Sequence, residues 1–359
     1  MTETPAQAEA DPAPVIHVAP SPHVYHAALT TRRMMLDVLI CLVPVVLVSL
    51  YVFRLYAVMQ IALCVASCLA AEWLFQTIMR RKPLSLGDGS AAVTGLILAL
   101  SLPGPAPWYV GVIGSFVAIG IGKVLFGGLG QNIFNPAMVG RAFVMLAFAG
   151  AMGASGYRIA PRPAVATQPV GLLERTASHT MTQATPMAAG KDLARKLAEG
   201  KKPAQGETMP SLEGLLLGNT NGSLGETSAL ACLVGGLILL IRRTASWEIP
   251  AGVLGAVAVL GGLMHLLGNP PFTVLHHLLG GALLFGAFFI ATDLVTSPLT
   301  PKGKLIFGAG VGALVMLFRT LSNYPEGVMF AVLIMNALVP LINRWTIPTP
   351  IGGPVPERK

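Results

Sequence analysis

Several runs of roughly 18–22 residues carry almost no charge, and this constrains the chain more than any other feature. From Leu55 to Ala71, for example, no side chain is charged. In a soluble domain such runs would need a charged skin to cover them. Only 11% of the 359 residues are charged while 53% are hydrophobic, against a usual charged share of about 25%. The bilayer is the solvent that fits. Inside it every backbone polar group must be satisfied within the segment, which leaves helices as the spanning element. The expected fold is therefore all-α, a polytopic membrane protein.

Apolar spans are predicted at 34–53, 57–79, 90–103, 108–127, 133–151, 227–241, 247–268, 273–292, 303–319 and 325–343, about ten in all. The third and sixth are short and flanked by glycine, a pattern of helices that line a site or cavity. Residues 1–33 read as a cytoplasmic tail, 34–151 as a first membrane repeat, 152–224 as a long outer loop, 225–345 as a second repeat and 346–359 as a second tail. No short apolar core with a cleavage site precedes the first span, so the N-terminus is not read as a signal peptide.

Orientation follows from basic residues beside short loops. Arg32, Arg33, Arg80, Arg81, Lys82, Arg242, Arg243, Lys302, Lys304, Arg344, Arg358 and Lys359 fall on one side under this span count. That side is cytoplasmic and holds both termini, which places loop 152–224 outside. The loop's own lysines and arginines do not reverse this, because long loops translocate largely regardless of charge. The formal net charge of +8 thus reports orientation. With no basic-aromatic stripe, it does not point to nucleic acid.

Residues 87–91 (Gly87-Asp88-Gly89-Ser90-Ala91) match 225–229 (Gly225-Glu226-Thr227-Ser228-Ala229), and Pro107-Trp108 matches Ser246-Trp247 in the same register. Three spans separate the paired segments, an odd number, so the copies should point oppositely through the membrane. Inverted repeats of this kind hold a central site at their interface. Asp88 and Glu226 are then equivalent, each at the start of a short span and on opposite membrane faces. Each can act as a capping carboxylate at a helix N-terminus, or the two can coordinate an ion at the two ends of one pathway. Glu72, inside the second span, costs about 2.5–3.5 kcal/mol to insert. Lys123 and Arg141 are its possible partners, unless they snorkel to the interface.

Other clusters carry less. Cys41, Cys64, Cys68 and Cys232 lie in apolar spans without a CxxC pair, so no disulfide framework or metal site is expected. His276-His277 has no third ligand at metal spacing and reads as structural. Gly127-Gly128-Leu129-Gly130 joins two apolar spans and lacks the strand-turn-helix setting of a nucleotide loop. In the outer loop, Thr180 to Met187 is threonine-rich, and Pro186 biases Thr185 toward an extended backbone that would present its hydroxyl.

Several stretches together resemble one family. They are 21–23 (Ser-Pro-His), 88–95 (Asp88 to Gly95), 127–141 (Gly127 to Arg141), 222–228 (Gly222 to Ser228), 291–293 (Ala291-Thr292-Asp293) and 324–327 (Tyr324-Pro325-Glu326-Gly327). In order, over residues 21 to about 345, the chain is similar to the NqrB/RnfD family. That family holds the D subunits of Rnf complexes and the B subunits of sodium-pumping NADH:quinone reductases. The short tail before Ser21 looks more like the Rnf type.

The resemblance implies a urea-transporter-like fold and FMN linked through its phosphate to a threonine. Thr182-Gln183-Ala184-Thr185 matches the end of the family's flavinylation pattern. This makes Thr185 the attachment residue and Thr182 and Ala184 part of the motif. His179 stands where that pattern has an acid. A second, noncovalent flavin such as riboflavin is also implied, and the Asn132–Arg141 stretch, with Asn135 and Arg141, is its expected inner-side site. The implied function is an electron relay in a complex coupling ferredoxin/NAD electron transfer to Na⁺ or H⁺ transport. Asp88 and Glu226 are the expected ion-coupling residues. Partners would be the other Rnf subunits, including a G-type flavoprotein, and a flavin transferase for maturation. A quinone-reducing subunit and a redox-silent small-solute channel are the alternatives.

Overall fold

The computed structural model describes residues 30–79, 85–104, 106–153, 157–159, 180–182, 211–218, 222–267, 272–322 and 327–347, with single positions between 187 and 199. Helix α1 (Thr31–Phe53) starts where the Thr30 hydroxyl accepts from the Arg33 N–H, an ordinary N-cap. A single residue, Arg54 at φ 50, turns the chain into α2 (Leu55–Ile78). There follow α3 (Ser90–Ser101), α4 (Trp108–Ile119), which runs into a π turn at Gly120–Val124, and α5 (Pro136–Ala147). Pro136 occupies the first turn of α5, where a missing N–H costs nothing, and the Asn135 side chain accepts from the Met138 N–H.

A two-stranded antiparallel ribbon, β1 (Tyr157–Ile159) with β2 (Thr180–Thr182), lies beside α1 and pairs Tyr157 with Thr182. It is a small departure from the all-α expectation. Beyond the outer loop come α6 (Ala229–Ile241), α7 (Glu248–Leu266), α8 (Val274–Leu279), α9 (Pro301–Leu321) and α10 (Val328–Thr346). Arg243, at φ 57, sits between α6 and α7 as Arg54 sits between α1 and α2.

Five helices, α1, α2, α7, α9 and α10, are long and apolar enough to cross a membrane. The expected spans at 90–103, 108–127, 133–151 and 227–241 appear as shorter apolar helices. The expected span 273–292 is not one helix. It breaks after α8 at Gly280 and Gly281 (φ 69), then resumes as a turn at Leu283–Phe285 and a π turn at Gly286–Ile290.

Large apolar side chains of the long helices face outward, among them Leu47, Tyr51, Trp73, Val259 and Leu321. That inversion of the soluble pattern is what lipid requires. The interior is packed through small residues. Within the Gly308-x-x-x-Gly312 pattern of α9, a Cβ on Gly308 would come within 2.4 Å of the Ile249 carbonyl oxygen on α7. The two backbones meet directly, as in membrane helix pairs generally. Helix α3 is the buried strut: every residue from Val93 to Ser101 is buried, among α1, α2, α4 and α5.

Candidate functional site

A cavity of about 750 Å³, counted to its open mouth, lies along α3. It is bounded by the N-terminal turns of α1 (Met34, Met35, Val38), the start of α5 (Asn135, Pro136, Ala137), the end of α6 (Leu239, Thr244) and the segment Phe289–Leu294. Its walls are mostly apolar. Polar groups enter at Ser90, Thr94, Lys123, Asn132, Asn135, Thr244, Thr292 and Asp293. This is the usual make-up of a small-molecule site. Asn132 is buried, and its side-chain oxygen has no hydrogen-bond partner among the described residues. Such an acceptor calls for a donor from an occupant. Asp293, half-buried in the loop beyond the π turn, has its pKa raised by packing around the carboxylate, with the Val295 N–H and Thr296 hydroxyl pulling it back.

Asn135 shapes the cavity from its rim. Its side chain caps α5 and donates to the Ile290 carbonyl oxygen at 3.4 Å, while its N–H donates to Asn336 of α10 at 3.3 Å. Asn336 in turn donates to the Thr296 carbonyl oxygen. Arg141, expected beside Asn135, does not line this cavity. It lies farther along α5 and pairs with Glu226 at 3.4 Å, both side chains buried. Six residues from Asn135, it has rotated by about 240° and risen about 9 Å along the helix.

Asp88 and Glu226 are not brought together. Asp88 closes the approach to α3, accepting from the Ser90 N–H at 2.7 Å and from the Ser90 hydroxyl. Glu226 sits at the other end, where Pro103 bridges to Ser223 and the Leu224 N–H donates to the Leu102 carbonyl oxygen. The Ser223 hydroxyl donates to Glu226. Both carboxylates therefore do capping work, about 18 Å apart along α3. Glu72 takes Lys123 as partner, at 2.6 Å, and Lys123 is 1% exposed, so it does not snorkel. A further ion pair, Asp37 with Arg242, ties α1 to α6 beside the cavity mouth, with Thr244 donating to the second Asp37 oxygen.

The four cysteines are free and buried. The Thr273 hydroxyl lies 2.6 Å from His276 Nδ1 in the first turn of α8, and the described residues hold no metal-ligating cluster. Thr182 ends β2, while His179, Ala184 and Thr185 lie outside the described residues.

With this geometry in place, comparison with known proteins identifies the relatives. Residues 17–352 match the model of the NQR2, RnfD, RnfE family. The chain belongs to this family. It is 39% identical over 329 residues to the D subunit of the Na⁺-translocating ferredoxin:NAD⁺ oxidoreductase complex of Acetobacterium woodii, covering 92% of this chain and 93% of that one. The D subunit of the proton-translocating ferredoxin:NAD⁺ oxidoreductase complex of Clostridium ljungdahlii is 36% identical over 343 residues, covering 94% and 96%. The D subunit of an ion-translocating oxidoreductase complex of Stutzerimonas stutzeri is 42% identical over 336 residues, covering 89% and 92%.

Membership also explains which motifs the sequence offered. The stretches Asp88–Gly95, Gly127–Arg141 and Ala291–Asp293 converge on the cavity through Ser90, Thr94, Leu129, Asn132, Asn135, Thr292 and Asp293. Sequence reasoning does not find the Asp37–Arg242 pair. An aspartate one turn into an apolar span, with arginines ending another, was the available signal.

Proposed function

We propose that this chain is the membrane-embedded D subunit of an Rnf-type ion-translocating oxidoreductase complex. It is a translocase subunit that relays electrons through flavin and needs its partner subunits for a complete reaction. The observation that carries this reading is its likeness to relatives of that name over nearly the whole of both chains. One is named for Na⁺ and another for protons, so the transported ion is Na⁺ or H⁺. The same names favour the ferredoxin-linked reading over a quinone-reducing subunit or a redox-silent channel.

In this reading Thr185 bears FMN on its hydroxyl through a phosphate ester, on the extracytoplasmic side. Support comes from Met187, two residues on. It is buried, and a Cβ on Gly280 would come within 3.0 Å of its sulfur. The loop is thereby pinned at the break after α8. Lys191 donates to the Ser322 carbonyl oxygen just past α9, pinning it a second time.

The cavity along α3 suits a noncovalent flavin such as riboflavin. Met35, Leu129 and Phe289 offer apolar walls to a flat ring, and the Asn132 oxygen offers an acceptor to a ring N–H. Bound flavin would supply one- and two-electron transfer. The chain's own residues do the rest: Asn135 holds α5, α10 and the π turn in register, Lys123 and Asp293 set the charge at the wall, and the apolar lining excludes water.

Inverted repeats also belong to this reading, with support from packing. Helix α1 crosses α6, α2 holds α4 as α7 holds α9, and α5 meets α10 through Asn135 and Asn336. Arg54 and Arg243 mark matching turns. This register pairs α1 with α6 and α3 with the broken 274–290 segment. Asp88 and Glu226 are then not equivalent, unlike in the motif register. The Arg242–Asp37 pair sets the start of α1 and the end of α6 at one level, which supports a shared cytoplasmic face for their basic residues.

The test is ultraviolet in-gel fluorescence of the denatured protein from its native membrane, beside a Thr185→Ala variant. Fluorescence that survives denaturation and disappears in the variant is the expected result. A dark wild-type band, with the native flavin transferase shown to be active, refutes the tethered flavin at Thr185.

A further inference from the structure

His277, in α8, is a buried polar side chain outside the cavity. It is 5% exposed, and its Nδ1 is buried with no hydrogen-bond partner among the described residues. The ring lies 5.2 Å from that of Phe272, and a Cβ on Gly261 of α7 would come within 3.4 Å of it. Leucine or phenylalanine would fill this space without leaving a buried nitrogen unpaired, which is costly. Arg319 of α9 fixes the same turn, donating to the carbonyl oxygens of His277 and, at 2.7 Å, of Gly280. His276 is already engaged with the Thr273 hydroxyl, and Lys191 donates to Ser322, close beyond Arg319. On the other elements packed against α8, His265 of α7 and Glu213 of the short helix Leu212–Leu217 are both exposed. An imidazolium at His277 would be a second buried cation beside Arg319, and a buried cation needs an anion.

The reach of the chain around Thr185 points to one anion. Met187 is buried against Gly280, one turn from His277, and Gly190 backs onto the Phe272 ring. Thr185 stands two residues before Met187, so its Cα is within about 7 Å of that of Met187. A ribityl-phosphate arm on its hydroxyl reaches further. We propose that His277 is the proton-accepting group of the flavin tethered at Thr185, hydrogen-bonded to its ring through Nδ1 and taking up a proton each time the flavin is reduced. Two electrons and one proton convert the oxidised ring to its reduced anion. A second proton goes to His277, and imidazolium and anion neutralise each other. Reoxidation returns both electrons and releases both protons. Electron and proton affinity therefore promote one another, and the coupling is reciprocal. The inference rests on the reading of Thr185 as the flavin-bearing residue and deepens it by naming the group that balances the flavin's charge.

The experiment uses the full-length flavinylated chain in nanodiscs. The midpoint potential is read from flavin absorbance between about pH 6 and 8, where histidine titrates. The part of the signal missing in Thr185→Ala belongs to the tethered flavin. Its potential should fall more steeply with pH in wild type than in His277→Gln. The difference should be about 30 mV for each tenfold change in proton concentration, the slope of one extra proton on a two-electron couple. His276→Gln should follow wild type. Parallel lines for wild type and His277→Gln overturn the proposal, and so does an equal loss of slope in His276→Gln. Infrared difference spectra of wild type, reduced minus oxidised, need no variant to fold. A band that moves on carbon-13 labelling of histidine is expected, and its absence also overturns the proposal. A chain with no Thr185-dependent flavin signal overturns the Thr185 reading, and this assignment with it.

Discussion

Replacing Glu226 by Gln tests whether the ion pair at the C-terminal end of α3 holds the fold together. The substitution keeps the side chain's shape and its contact with Ser223. What it removes is the charge opposite Arg141, 3.4 Å away, with both side chains buried. At that distance and an effective dielectric near 20 the attraction is about 5 kcal/mol. Stranding one buried charge of such a pair costs about 3–5 kcal/mol. Arg141 has no ready substitute, since its buried Nε has no partner among the described residues. For a chain of this size each kcal/mol moves the midpoint by about 2 °C, so Glu226→Gln should melt about 6–10 °C below wild type. Arg141→Met should fall by a similar amount. The Arg141→Met/Glu226→Gln double variant, in which no buried charge is stranded, should recover most of the loss. The assay is the apparent midpoint by scanning fluorimetry in one detergent at one scan rate, because such unfolding is read as a rate. Single variants within 2 °C of wild type, or a double variant as low as the sum of the singles, would refute the reasoning.

Asp88→Asn should barely change stability, since Asn caps as well as Asp, yet it should slow ion transport by the assembled complex. Unchanged pumping in both Asp88→Asn and Glu226→Gln would remove these residues from the ion path. Asn132→Leu should cost the purified protein its noncovalent flavin while leaving the covalent one in place, as read by extraction and absorbance. Retention of both flavins would place the second one elsewhere. Gly308→Leu should force α7 and α9 apart where their backbones touch and lower stability by about 1–3 kcal/mol. A melt unchanged within error would mean the helices can slide without loss.

The helices were legible because lipid demands long uncharged runs, and long runs are what a sequence displays openly. Their ends and breaks were less so. The broken stretch 274–290 is as apolar as its neighbours, and only Gly280-Gly281 hinted that one helix could not continue. The resemblance points to the stretch Asn132–Arg141, and of that stretch Asn132, Asn135, Pro136 and Ala137 line the cavity. Arg141 pairs with Glu226, 85 residues away in the chain, a contact that sequence spacing does not show. The partner of Glu72 was one of two sequence candidates, and nothing short of tertiary packing could choose Lys123 over Arg141. The equivalence of Asp88 and Glu226 rests on a five-residue likeness, 87–91 with 225–229. Which helices cross depends on contacts between segments far apart in the chain, which short motifs do not encode.

The length of α3 links these observations to transport. Its twelve residues span about 18 Å, whereas the hydrocarbon layer is about 30 Å thick. The remaining depth must be filled by the short 3-10 turns and loop backbone at its two ends, residues 85–89 and 222–228. Irregular backbone at membrane depth is tolerated only when protein or a water-lined cavity surrounds it. Here each end carries its own carboxylate, Asp88 with Ser90 and Glu226 with Arg141, while the cavity opens along the side of the helix. A cation crossing this protein would therefore leave the apolar phase at these two ends and meet a carboxylate at each. Between them, Lys123 is the charged group that lies against both the buried carboxylate Glu72 and the cavity.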